Sequence, residues 1–188
     1  MSLTSRTARR LAVGFGLATA AALLPVAALA APSSPVASAR SAAHQTTRPC
    51  TSVHSRVWFG QPADHAAGHA YFQLQISNIG RSTCMFWGYP GVSALNSHGR
   101  QIGHAASHTG FRLSVTLKPG ATTHMVLVVT DASAVCSNPV QATEIRVFPP
   151  GQFHSQNVPL PTRQCIGKSV LSVDSVHPGT GIPGFTTH

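Results

Sequence analysis

Apolar and polar positions alternate with a period of two through most of residues 50–177. Phe72, Leu74 and Ile76 alternate with Gln73, Gln75 and Ser77, and Phe111, Leu113, Val115 and Leu117 alternate with Arg112, Ser114, Thr116 and Lys118. This pattern predicts strands with one buried and one wetted face. The run His124-Met-Val-Leu-Val-Val129 is apolar on both faces at its centre, which predicts a strand in mid-sheet. Further strands are predicted at 53–59, 83–87, 92–96, 143–148 and 169–176. Turn formers separate them, at Asn78-Ile-Gly80, Tyr89-Pro-Gly91, Ser97-His-Gly99 and Lys118-Pro-Gly120. No window of a dozen residues carries a helical stripe. Roughly seven to nine short strands at this spacing predict an all-β domain, a two-sheet antiparallel sandwich of immunoglobulin-like architecture. The cysteine and tryptophan spacing does not fit a single inter-sheet bridge with a tryptophan packed on it.

Outside this region the pattern changes. Arg6, Arg9 and Arg10 precede an uncharged run from Leu11 to Ala30 that ends in the small-x-small triplet Ala28-Leu29-Ala30. Residues 1–30 therefore read as a signal peptide cleaved after Ala30 or Ala31. A run of about 20 residues is also long enough to span a membrane, so an uncleaved anchor is the competing reading. Pro25 and the alanine-rich exit favour cleavage. The Arg9-Arg10 pair alone is too little to specify twin-arginine export. Residues 31–49 read as a flexible Ser/Ala/Pro/Thr linker, and 178–188 as a loose tail. No cysteine lies near the expected cut, so a lipidated N-terminal cysteine is not expected. The mature chain is expected to be secreted, with no membrane span.

Charge narrows the chemistry. The 188 residues include 13 Lys and Arg, 4 Asp and Glu, and 11 His. Paired-carboxylate catalysis and carboxylate-held Mg²⁺ or Ca²⁺ draw on acids that are nearly absent. Asp64, Asp131, Glu144 and Asp174 are far apart in sequence, and neither a Gly-x-Ser-x-Gly elbow nor a His-Glu-x-x-His helix is present. A non-catalytic protein without a cofactor is expected. Cleavage would remove three arginines and leave ten basic side chains against four acidic ones. These are scattered singly, which argues against nucleic acid. For an exported chain the expected partner is an anionic cell-wall polymer, or acidic lipid headgroups. Such attraction is weak, screened by salt, and strengthened as histidines protonate below about pH 6.5.

Four cysteines, Cys50, Cys84, Cys136 and Cys165, in an exported domain predict two disulfides. No Cys-x-x-Cys spacing points to a metal instead. Four cysteines allow three pairings. Cys50–Cys84 with Cys136–Cys165 is favoured, because the alternatives cross or nest long loops. Eleven histidines raise a metal site, with His98, His104 and His108 the closest group; His65 and His69 are four apart, but Gly60, Pro62 and Gly68 make that stretch a loop. A closed site needs second-shell acceptors for the imidazole N–H groups, and acids are scarce. Gly88-Tyr89-Pro90-Gly91 is a candidate binding loop, with Trp87 and Tyr89 as rigid contact area. The competing and favoured expectation is a structural turn with both aromatics in the core.

Several signatures line up in chain order: Cys50; Ile76-Ser-Asn-Ile-Gly80; Ser82-Thr-Cys-Met-Phe-Trp-Gly-Tyr-Pro-Gly-Val-Ser93; Leu117-Lys-Pro-Gly-Ala-Thr122; and Cys136 and Cys165 bracketing Val147-Phe-Pro-Pro-Gly151. Over roughly Cys50 to Val176 the chain resembles an actinobacterial family known as domain of unknown function 4232. The stretch from Cys84 to Val92 carries the most specific part of the likeness. The resemblance implies an exported, disulfide-bonded β-sandwich, often carried on a lipidated cysteine and a low-complexity tether. This chain lacks that cysteine. The family implies no activity and no catalytic residue.

Overall fold

The computed structural model describes residues 46–60 and 64–180. The expected signal peptide, most of the linker and residues 181–188 of the tail lie outside the described residues. The described chain is all-β. Its strands are β1 (Ser55–Phe59), β2 (Asp64–Ala66), β3 (His69–Asn78), β4 (Cys84–Trp87), β5 (Gly91–Leu95), β6 (Gln101–Ile102) and β7 (Ser107–His108). They continue with β8 (Ser114–Leu117), β9 (Thr122–Thr130), β10 (Val140–Phe148), β11 (Gln156–Gln164), β12 (Leu171–Val173) and β13 (His177–Pro178). Two short 3-10 turns, Ser52–His54 and Ala132–Ala134, complete the described elements.

The longest pairing joins β3 to β9, from His69 opposite Thr130 to Ser77 opposite Thr122. β1 and β2 pair with β3, and β12 and β13 pair with the other edge of β9. β9 is thus a central strand, as its two-sided apolar run predicts. The outermost strand of this sheet, β7, runs parallel to β12. A second sheet has the order β11-β10-β5-β6, and β4 and β8 form a separate antiparallel ribbon. The expected two sheets are therefore joined by a third, two-stranded one.

One core unites them. Leu74 and Ile76 of β3, Met125 and Leu127 of β9, Phe86 of β4, Val92 and Ala94 of β5, and Ile145 and Val147 of β10 belong to a single buried cluster. Burying each of the larger aliphatic side chains contributes about 1.5–3 kcal/mol. Between sheets, the Gln156 amide acts as a latch. Its oxygen accepts from the Val57 N–H at 3.0 Å, and its nitrogen donates to the Ser55 carbonyl at 2.7 Å, tying β11 to β1. Asn78 plays a similar part at the end of β3. Its side chain donates to the carbonyls of Ser82 and Leu117 and accepts from the Gly80 N–H.

Two sequence expectations need correction. The strands named from the sequence do not include Gln156–Gln164, a segment in which Pro159 and Pro161 cannot donate to a ladder. The strand forms at a sheet edge, where Pro159 lies opposite Glu144 and Pro161 falls in the bulge between Ala142 and Glu144. The alternation from Phe111 to Leu117 is also only half realised. β8 begins at Ser114, and Phe111 is 89% exposed.

The disulfides are Cys50–Cys84 and Cys136–Cys165, with Cα atoms 4.8 and 6.0 Å apart. The first fastens the start of the domain to β4. The second joins the segment after β9 to that after β11, beside the small buried group of Ala132 and Val170. They span 34 and 29 residues, so loop-closure entropy assigns each roughly 3–4 kcal/mol. Replacing Cys136 and Cys165 together by serine is expected to lower the unfolding free energy by about that amount in denaturant titration. A loss under about 1 kcal/mol would contradict the assignment.

Candidate functional site

The alternation of β4 sends Phe86 into the core, fully buried, and turns the next residue outward. Trp87 is 56% exposed. The expectation that Trp87 packs in the core is thereby corrected; Tyr89 is half-buried. Gly88, between them, has φ +90°, and a Cβ there would lie 3.4 Å from Cγ of Arg112. The backbone conformation is what favours glycine, since the arginine stem leaves room for an ordinary contact.

Arg112 fills the gap between the two aromatics. Its guanidinium carbon lies 4.6 Å from the Trp87 ring centroid and 5.7 Å from that of Tyr89. His108 also stacks on Tyr89, with centroids 4.5 Å apart and planes 6° from parallel. The Tyr89 hydroxyl donates to the Gly110 carbonyl at 2.7 Å. The result is a layered stack of indole, guanidinium, phenol and imidazole, flanked by exposed Phe111 and Leu113. Cation–π contacts at such exposed sites are worth about 0.5–1 kcal/mol each.

What holds the stack in place lies beneath it. The Gly88 N–H donates to the Leu113 carbonyl at 2.8 Å. Ser175, 1% exposed, donates its hydroxyl proton to the Gly88 carbonyl at 2.9 Å and accepts the Leu113 N–H at 2.8 Å. The Val176 N–H reaches the same Gly88 carbonyl at 3.1 Å. Ser175 is set by its neighbours: Asp174 accepts the Val126 N–H at 2.6 Å and faces Nε2 of His177 at 3.1 Å. Burial pushes the Asp174 carboxyl above the ordinary carboxylate range, against the opposing pull of the Val126 N–H and His177. Beside this pair His124, buried in β9, donates Nδ1–H to the Gly179 carbonyl and stacks on His177.

The other candidate residues are placed apart. His98 sits in the β5–β6 turn, where its N–H donates to Asn96 Oδ1, and His104 is exposed after β6 with its N–H on the Lys168 carbonyl. Only His108 of that trio reaches the stack. Among the described residues no three His, Cys, Asp or Glu side chains converge as metal ligands, so the His98, His104 and His108 group is not assembled. His65 and His69 lie on the β2–β3 hairpin, beside a cleft of about 520 Å³ that also includes Phe72, Asp131 and Arg163. Asp131 is committed to the 3-10 turn that follows β9. Its carboxylate accepts the Ser133 N–H and hydroxyl, which hold it below the usual carboxylate range.

Residues 50–177 match the sequence profile of the family described as Domain of unknown function (DUF4232). The chain belongs to the DUF4232 family. No curated protein and no solved structure matches it. Within this DUF4232 domain, sequence reasoning singled out Trp87, Tyr89 and His108 and missed Arg112 and Ser175. The one signal for Arg112 was its polar place in the alternation from Phe111 to Leu117; Ser175 offered none.

Ser175→Ala removes two hydrogen bonds and leaves the Leu113 N–H without its acceptor. The expected outcome is a loss of about 1–3 kcal/mol in denaturant-induced unfolding. A loss below about 0.5 kcal/mol would show that the hydroxyl is not what holds the turn.

Proposed function

We propose that the domain is an exported, non-catalytic binding module that associates with anionic polymer of the cell envelope. The observation that carries this reading is an exposed cation set in an exposed aromatic surface, on a chain with 13 basic and 4 acidic residues. Among the described residues the one ion pair is His177–Asp174, so no arginine or lysine there lies within ion-pair distance of a carboxylate. The summed field is positive and attracts polyanions over about a Debye length.

The four acids support a non-catalytic role through the work they already do. Asp131 caps a turn, and Asp174 holds Val126 and His177. Glu144 accepts from Asn157, and Asp64 from the His65 N–H. Disulfides are consistent with an oxidising location, and no helix among the described residues is long and apolar enough to cross a membrane.

Retention on purified anionic wall polymer is expected at low ionic strength. It should strengthen from about pH 7.5 to about pH 5.5 as histidines gain charge, and be largely lost at about 0.5 M salt. Absence of retention at both pH values would refute the proposal.

A further inference from the structure

We infer that Arg112 is the centre of an oxyanion-binding site, and that its ligand is an extended anionic glycopolymer. The inference rests on the envelope reading and gives it a locus. Three features of the stack carry it.

The first is the cation itself. The guanidinium carbon lies over the Trp87 ring at 4.6 Å and over the Tyr89 ring at 5.7 Å, contacts that consume none of its N–H donors. Those donors meet no carboxylate among the described residues. A planar fork of donors matches the two oxygens of a carboxylate or a phosphodiester, a match an ammonium lacks. The second feature is preorganisation. Tyr89 is fixed by the Gly110 carbonyl and by His108, and the Gly88 turn is fixed by buried Ser175. The arginine thus loses less freedom on binding than a solvated one would.

The third is the surround. Trp87, against the cation, is exposed, and so are Phe111 and Leu113, the residues on either side of Arg112 in the chain. A ligand that fills both parts carries an oxyanion next to a body with apolar C–H faces, which describes a charged saccharide unit. A single-stranded nucleic acid asks for successive free aromatic faces. Here Arg112 and His108 already cover Tyr89. The net positive charge of the chain then favours a repeating anion over a single one.

The test uses the exported chain and two soluble probes, poly(glycerol phosphate) and polygalacturonate, titrated at low ionic strength by calorimetry and by tryptophan emission. Arg112→Gln is expected to weaken binding about tenfold or more, and Arg112→Lys to restore little of it, because the fork and not the charge alone is recognised. Arg56→Gln, at an exposed position on β1, removes the same charge and should cost less than about twofold. Trp87→Phe, which keeps the arginine, should weaken binding by an intermediate factor. Arg112-dependent binding of polygalacturonate supports the site and its saccharide ligand, whereas Arg112-dependent binding of poly(glycerol phosphate) alone, which has no sugar ring, supports the oxyanion site and overturns the saccharide assignment. Equal losses for Arg112→Gln and Arg56→Gln overturn the site while the envelope reading stands. No binding of the unsubstituted protein to either probe overturns both. Tighter, Arg112-dependent binding to anionic vesicles or to single-stranded DNA overturns the glycopolymer assignment.

Discussion

The antiparallel register between β3 and β9 is the constraint from which the rest of the domain is hung. It brings Leu74 and Ile76 beside Met125 and Leu127, the deepest part of the core. A one-residue slip of β9 against β3 would turn Met125 and Leu127 toward the opposite face. Both strands then serve as templates: β3 for β1 and β2, β9 for β12 and β13. β12 leads directly into Asp174 and Ser175, so the position of the hydroxyl under Gly88 is inherited from the centre of the sheet. The aromatic surface is consequently built on the longest strand pairing among the described residues, although it stands in solvent.

A scarcity of acids shapes the chemistry of that surface. With four carboxylates in the chain, each engaged locally, arginines are stabilised by other means. Arg112 takes two aromatic faces in place of a counterion. A cation held in this way keeps its donors available, whereas an arginine in a carboxylate pair has spent them.

Strand-level organisation was legible where one physical signal dominated. The two-sided run ending at Val129 marked a central strand, and Lys118-Pro119-Gly120 marked a turn in which the Ala121 N–H closes on the Lys118 carbonyl. Local loop closure pointed to the disulfide pairs. Reading failed where tertiary context reversed a local rule. Pro159 and Pro161 hid β11, because a sheet edge and a bulge tolerate what a central strand does not. Phe111 and Leu113 kept the alternation of a strand, yet Ser175 draws Leu113 toward the Gly88 turn and the ladder begins one residue later. Trp87 was expected inside because aromatics near a disulfide usually pack on it, but with Phe86 inside, the strand period faces the tryptophan outward. The site's remaining parts, Arg112 and Ser175, lie far from Trp87 in sequence. Only the topology brings them together.

Preorganisation makes the solvent-exposed site as rigid as the core beneath it, a property that native-state hydrogen exchange reads directly. The N–H groups of Gly88, Leu113 and Val176 bond to Leu113, Ser175 and Gly88 respectively. They are expected to exchange only through the large-scale opening that also exposes the β3–β9 ladder, with opening free energies within about 1–2 kcal/mol of it. Exchange by local fraying, at opening free energies close to those of the exposed Ser97–Arg100 turn, would contradict the claim that the surface is preorganised.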